Sequence, residues 1–104
     1  MKFKIRFSPF AKEDKNEIKT YLSKFYPGTP RRFTSLLKKQ INNLKENPFM
    51  YSEYLENTNY RRMPVGNYLV FYKVDDIEKQ ISIYRILRAS WDLPKYIQGG
   101  EHKD

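Results

Sequence analysis

Residues 60–88 read YRRMPVGNYLVFYKVDDIEKQISIYRILR, and this stretch decides the fold. Its density of β-branched and aromatic residues predicts three antiparallel strands: Tyr60–Val65, the turn Gly66-Asn67, Tyr68–Val74, a charged connection Asp75–Lys79, and Gln80–Arg88. The run Tyr68-Leu69-Val70-Phe71-Tyr72 is apolar enough to belong at the centre of a sheet with both faces at least partly covered. A two-residue turn with Gly supplying the positive φ would set Val65 opposite Tyr68, Met63 opposite Val70 and Arg61 opposite Tyr72.

That register sorts side chains by parity. Arg61, Met63, Val65, Tyr68, Val70 and Tyr72 form the face expected under helices. Tyr60, Arg62, Pro64, Leu69, Phe71 and Lys73 form a face expected to be open. In the last strand, Tyr84 and Arg88 are expected to join Arg62 and Lys73 on that open face.

Upstream, Phe3, Ile5 and Phe7 alternate with Lys2, Lys4 and Arg6, which reads as a half-buried strand over Lys2–Phe7. Ser8-Pro9 stops it and opens a helix, Ser8 as N-cap and Pro9 where a missing N–H costs nothing. Phe10, Ala11, Ile18, Tyr21, Leu22 and Phe25 make one apolar stripe, which ends near Tyr26-Pro27-Gly28. Thr29-Pro30 repeats the device, with Thr29 expected as cap, and Phe33, Leu36, Leu37, Ile41 and Leu44 form a second stripe up to Asn47-Pro48. A short link between amphipathic helices implies a helical hairpin on one sheet face. Phe49–Asn59, without a clean period, reads as the loop back to the sheet. The order β-α-α-β-β-β predicts an α+β fold, a twisted, mostly antiparallel four-stranded sheet with an N-terminal helical hairpin on one face. Residues 1–97 are expected to form a single domain and 98–104 a flexible tail.

The bulk numbers set limits on function. Twenty Lys and Arg against 12 Asp and Glu give a net charge of +8, which favours nucleic acid, an acidic protein or an anionic surface as partner. Without cysteine there is no disulfide or thiolate chemistry. No CxxC, HExxH, P-loop or GxGxxG occurs, so no metal or cofactor is expected. Residues 1–7 do not form an apolar run, and no stretch approaches transmembrane length, so a cytoplasmic protein without membrane contact is expected. His102, in the tail, is read as solvated and not as a general base. Asp75-Asp76 reads as an ordinary acidic hairpin loop. Trp91 reads as a core plug.

The candidate site is the basic, aromatic sheet. Arg61, Arg62, Lys73, Arg85 and Arg88, beside Tyr60, Phe71, Tyr84 and Tyr96, carry the groups that hold phosphates, stacked bases or carboxylates. The competing reading is a self-paired surface, with Glu53, Glu56 or Asp92 as counterions, and Arg61 and Arg85 are the members for which structural pairing stays open.

The residues together resemble a known family. The opening strand, SPFAKEDKNEIKTYL, a second helix ending INNLKENP, YRRMPVGNYLVFYKVDD, ISIYRILR and a WDLPKYI tail are similar, in order and spacing, to the RelE/ParE superfamily of type II toxin–antitoxin toxins, and most of all to its ParE branch. The resemblance covers residues 2 to about 97.

It implies a toxin neutralised by a cognate acidic antitoxin that wraps over the hairpin and sheet, with operator DNA reached only through the antitoxin complex. It also implies one of two targets: DNA gyrase, inhibited without catalytic chemistry, or messenger RNA on the ribosome, cleaved by an endoribonuclease. A ribonuclease of this type needs groups to activate the 2′-hydroxyl, stabilise the phosphorane and protonate the leaving oxygen. Arg62, Arg88 and Tyr96 are what this chain offers. The third-strand position is Leu69 and the position after the last strand is about Ser90, which favours the gyrase reading, with Arg62, Lys73, Arg88 and Tyr96 as the contact surface. A third possibility is a non-toxic homologue that only binds its antitoxin.

Overall fold

Gly66 adopts φ +62 and, with Asn67, closes a two-residue turn between β2 (Arg61–Val65) and β3 (Tyr68–Asp75). Arg61 pairs with Tyr72, Arg62 with Phe71, Met63 with Val70, Pro64 with Leu69 and Val65 with Tyr68, the register expected from the turn. The structure is a computed structural model and describes residues 2–25, 28–54 and 59–89. Ser90, Trp91, Tyr96, His102 and the tail 98–104 lie outside the described residues.

β4 (Gln80–Arg88) pairs antiparallel with β3, and β1 (Lys4–Phe7) pairs parallel with β4, giving a four-stranded sheet in the order β1-β4-β3-β2. The sheet is thus mostly antiparallel with one parallel edge, which brings the first strand beside the last.

α1 (Pro9–Ser23) starts as the sequence indicates: the Ser8 hydroxyl accepts the Ala11 N–H at 3.0 Å and itself donates to the Tyr84 carbonyl at 2.7 Å. One side chain therefore caps the helix and ties it to β4. α2 (Thr29–Glu46) differs from expectation. Thr29 is its first residue and not the cap; Gly28 occupies the cap position with no side-chain hydrogen bond, while its carbonyl accepts the Arg32 N–H.

Both helices lie on the same sheet face. Ala11, Ile18, Phe33, Leu37, Ile41 and Leu44 meet Met63, Val65, Tyr68, Val70, Tyr72, Ile81, Ile83 and Ile86 in the main core. Burying such side chains contributes about 1.5–3 kcal/mol each. Among the described residues no helix is long and apolar enough to cross a membrane.

The other face is not open. Phe71 and Leu87 are fully buried there, under Tyr54, Tyr60, Leu69 and Tyr84. The cause is the aperiodic segment before β2, which folds back along the edge of the sheet: Glu53 bridges to Arg61, and the Tyr54 N–H donates to the Tyr60 carbonyl at 2.7 Å.

β4 carries a second departure. Phe71 lies opposite Arg85 but Tyr72 lies opposite Ile83, so one extra residue is inserted at Tyr84/Arg85. A bulge of this kind reverses side-chain parity along the rest of the strand. Tyr84 therefore faces outward as expected, but Arg88 does not join Arg62 and Lys73. It stands opposite Tyr68, on the helix side.

Candidate functional site

Two surfaces emerge from this arrangement. On the outer sheet face, the Tyr60 ring stacks on Tyr84 with centroids 4.9 Å apart, and Phe10 from α1 meets Tyr84 edge-on at 6.2 Å. Lys73 Nζ sits 4.5 Å above Tyr60, and the Arg62 guanidinium 5.3 Å above Tyr54, whose ring in turn meets Phe71 edge-on. Two exposed cations thus stand on an aromatic floor, each worth about 0.5–1 kcal/mol of cation–π attraction. Leu69, half-buried beside them, joins the apolar patch under that floor.

The remaining cations of the sheet are elsewhere. Arg61 donates to the Tyr51 carbonyl at 2.6 Å and lies over Phe49, which makes it a brace for the loop. Arg85, displaced by the bulge, binds the Asp14 carboxylate of α1 through Nε at 2.8 Å and Nη2 at 3.1 Å. Both have structural partners, the pairing that the sequence leaves open. Arg88 lies 5.4 Å over the Tyr21 ring of α1. Of the six expected contact residues, Arg62 and Lys73 stand on the outer face, Arg88 on the helix side, Arg61 and Arg85 at the contacts just described, and Tyr96 lies outside the described residues.

Arg88 belongs to the second surface, a cavity of about 240 Å³ between α1 and the sheet, lined by Asp14, Glu17, Ile18, Tyr21, Tyr68, Ile86 and Arg88. Around the helices stand large apolar side chains that no part of the described chain covers well: Phe10, Tyr21, Phe25 and Leu36. Reading all of these as core stripe missed this surface. Phe10 and Tyr21 lie about three turns apart on one flank, off the buried line Ala11-Asp14-Ile18, so the apolar band of α1 is wider than the sheet beneath it can cover.

Burial raises the Tyr72 phenol to about 12 and also raises Tyr68, where the nearby Arg88 charge works against it; both move away from the neutral range. Among the described residues no group of His, Cys, Asp and Glu is arranged to hold a metal.

Two helices on one face of a four-stranded sheet, with an unfilled apolar flank and a cationic aromatic outer face, make a small RelE/ParE-type toxin fold. Residues 5–93 match the family described as the ParE toxin of the type II toxin–antitoxin system parDE, and the chain belongs to that family. It is the toxin component of a type II toxin–antitoxin system.

Solved structures agree on the fold. The chromosomal ParDE toxin–antitoxin system of P. aeruginosa superposes with a TM-score of 0.69 at 17% identity, over 83% of this chain and 95% of that one. E. coli toxin RelE, as an arginine double mutant in the free state, gives 0.66 at 14% identity, over 96% and 97%. The RelBE2 toxin–antitoxin complex of Mycobacterium tuberculosis gives 0.63 at 18% identity, over 85% and 99%. At these identities the likeness establishes the fold alone. No curated protein sequence matches the chain significantly.

Proposed function

We propose that this toxin arrests growth by inhibiting DNA gyrase and is neutralised by an acidic antitoxin. The observation that carries the first part is the outer sheet face. Its centre is closed by Leu69, Phe71 and Leu87, and of its cations Arg62 and Lys73 stand over rings. An endoribonuclease would need a proton acceptor for the 2′-hydroxyl and a donor for the leaving oxygen on this face. Leu69 supplies neither. A cationic, aromatic surface with Leu69, Phe71 and Leu87 at its centre and Arg62 and Lys73 over its rings suits adhesion to another protein.

The antitoxin reading draws on the helix side. Phe10, Tyr21, Phe25 and Leu36 offer apolar anchors, and Arg88 at the cavity wall offers a cation to an acidic residue. A chain of net charge +8 would meet an acidic partner quickly.

Expression from a tightly controlled promoter tests the target, with plasmid supercoiling and specific transcripts followed in the same culture. Relaxed or broken plasmid with intact transcripts is the expected result, together with inhibition of purified gyrase by the purified toxin. Cleaved transcripts with normal supercoiling would establish the ribonuclease reading instead, and unimpaired growth in the presence of folded protein would identify a non-toxic homologue.

A further inference from the structure

The excess charge of this protein is concentrated in one helix. α1 holds Lys12, Lys15 and Lys19 against Glu13, Asp14 and Glu17 and is neutral. α2 holds Arg31, Arg32, Lys38, Lys39 and Lys45 against Glu46 alone, a net charge of +4, half of the chain's total of +8. From Pro30 to Lys45 it carries no acidic residue.

The helical repeat sets these cations in rows. Residues seven apart fall on nearly the same line, about 10.5 Å along the axis. Arg31, Lys38 and Lys45 make one row; Arg32 and Lys39 make a second, which ends in Glu46. Arg31, Arg32, Lys38 and Lys39 are all exposed, and none has an ion-pair partner among the described residues. Ser35 and Asn42, also exposed, lie between the rows. The opposite side of the helix is anchored by Phe33, Leu37, Ile41 and Leu44, so the rows are held on a rigid support.

We infer that this outward face of α2 binds duplex DNA through its phosphate backbone, by the toxin itself and independently of any antitoxin. Two rows of cations with hydroxyl and amide groups between them match the donors that contact phosphate oxygens. The run from Arg31 to Lys45 is straight for about 21 Å, and B-DNA carries one charge per ~1.7 Å of axis, so a duplex presents anions along its whole length.

Other polyanions fit less well. Single strands are held by stacking on aromatic rings, and this face has none. An anionic membrane takes up an amphipathic helix through its apolar side, which here is spent in the core. A protein partner needs apolar anchors, and these lie with Phe10, Tyr21 and Phe25 of α1, leaving only Leu36 on the margin of the cationic face.

The test is fluorescence anisotropy of the full-length toxin with a labelled mixed-sequence DNA duplex over a range of salt concentrations. One variant carries Arg31→Gln, Arg32→Gln, Lys38→Gln and Lys39→Gln. A control of equal charge loss carries Lys4→Gln, Lys12→Gln, Lys19→Gln and Lys24→Gln. Two half-variants remove one row each, and thermal melts establish that all are folded. The α2 variant should lose at least about tenfold in affinity at low salt, and its log–log salt slope should shrink by about 3–4, near 0.9 per lost phosphate contact. Each half-variant should lose about half of that slope, and the control little. Equal losses in the α2 variant and the control would overturn the inference, as would tighter binding of single-stranded RNA of the same length.

Discussion

Asp14 and Arg85 fasten the helical layer to the sheet at the point where β4 bulges. The carboxylate receives both Nε and Nη2 of Arg85, and its Oδ2 also accepts the Ile86 N–H at 2.9 Å. Asp14 is the one buried charged residue among those described, and both of its oxygens are hydrogen-bonded. The bulge in β4 is therefore matched by an acid on α1 that binds Arg85 and accepts the backbone N–H after it.

Breaking that contact from one side should cost more than removing it whole. Asp14→Ala removes the carboxylate that binds Arg85 and leaves the Ile86 N–H without its acceptor, and should destabilise the protein by about 3–5 kcal/mol. Asp14→Leu combined with Arg85→Met should cost clearly less than the sum of the single changes. Urea denaturation of the wild type, Asp14→Ala, the Asp14→Leu and Arg85→Met single variants and the double variant reads this directly, and additive losses in the Leu/Met cycle would show that the two residues act independently.

Tyr72 should make stability fall in alkali. Its hydroxyl donates to the Pro48 carbonyl at 3.0 Å, and burial raises its pKa to about 12, against about 10 in the unfolded chain. Above about pH 10 the unfolded state loses this proton while the folded state keeps it, so stability is intact below about pH 10 and declines up to about pH 12. The slope is at most about 1.4 kcal/mol per pH unit from this group. Tyr72→Phe should lower stability at neutral pH by about 1 kcal/mol, since Pro48 loses its donor, and should decline less steeply in alkali. Parallel declines of the two proteins between about pH 9 and about pH 11.5 would contradict the assignment.

Arg88 separates the two proposed surfaces. If an acidic antitoxin occupies the flank of α1, Arg88→Glu should weaken its capture by about 10- to 1,000-fold, as expected when a charge at an interface is reversed. Arg62→Glu on the other sheet face should leave that capture nearly unchanged and should relieve gyrase inhibition. Calorimetric titration with the small protein encoded beside the toxin, together with a supercoiling assay, measures both. An equal effect of the two changes on antitoxin binding would show that the surfaces are not distinct.

The sequence made some of this readable and some not, for local reasons. Gly66-Asn67 admits a single short turn, so the β2–β3 pairing could be read residue by residue. The longer connection Asp75–Lys79 imposes no such constraint, and the bulge at Tyr84/Arg85 has no signature in a run of alternating apolar residues, which is why Arg88 was expected on the wrong face. Phe71 was expected on an open surface because nothing in Tyr51–Tyr54 announces that an aperiodic segment will lie along the sheet edge. Ser8-Pro9 carried a true cap, whereas the similar Thr29-Pro30 did not, since the same dipeptide fits one residue inside a helix as well as at its border. The basic rows of α2 escaped the sequence reading, which looked for cations on the sheet; the fold shows Arg31, Arg32, Lys38 and Lys39 exposed with no ion pair among the described residues, whereas Arg85 is held by Asp14.

The parallel pairing of β1 with β4 has a bearing on synthesis. Lys4 lies beside Gln80, and Phe7 beside Ile83, so the first strand to leave the ribosome has no neighbour in the sheet until the last one follows. Contacts of such long sequence separation form late and slowly. The two helices can associate early, but the surface formed by β2, β3 and β4 is assembled only when nearly the whole chain has been released. The outer face that carries Arg62 and Lys73 is therefore complete only when the ends of the sheet have met, which ties the proposed contact surface to the last step of folding.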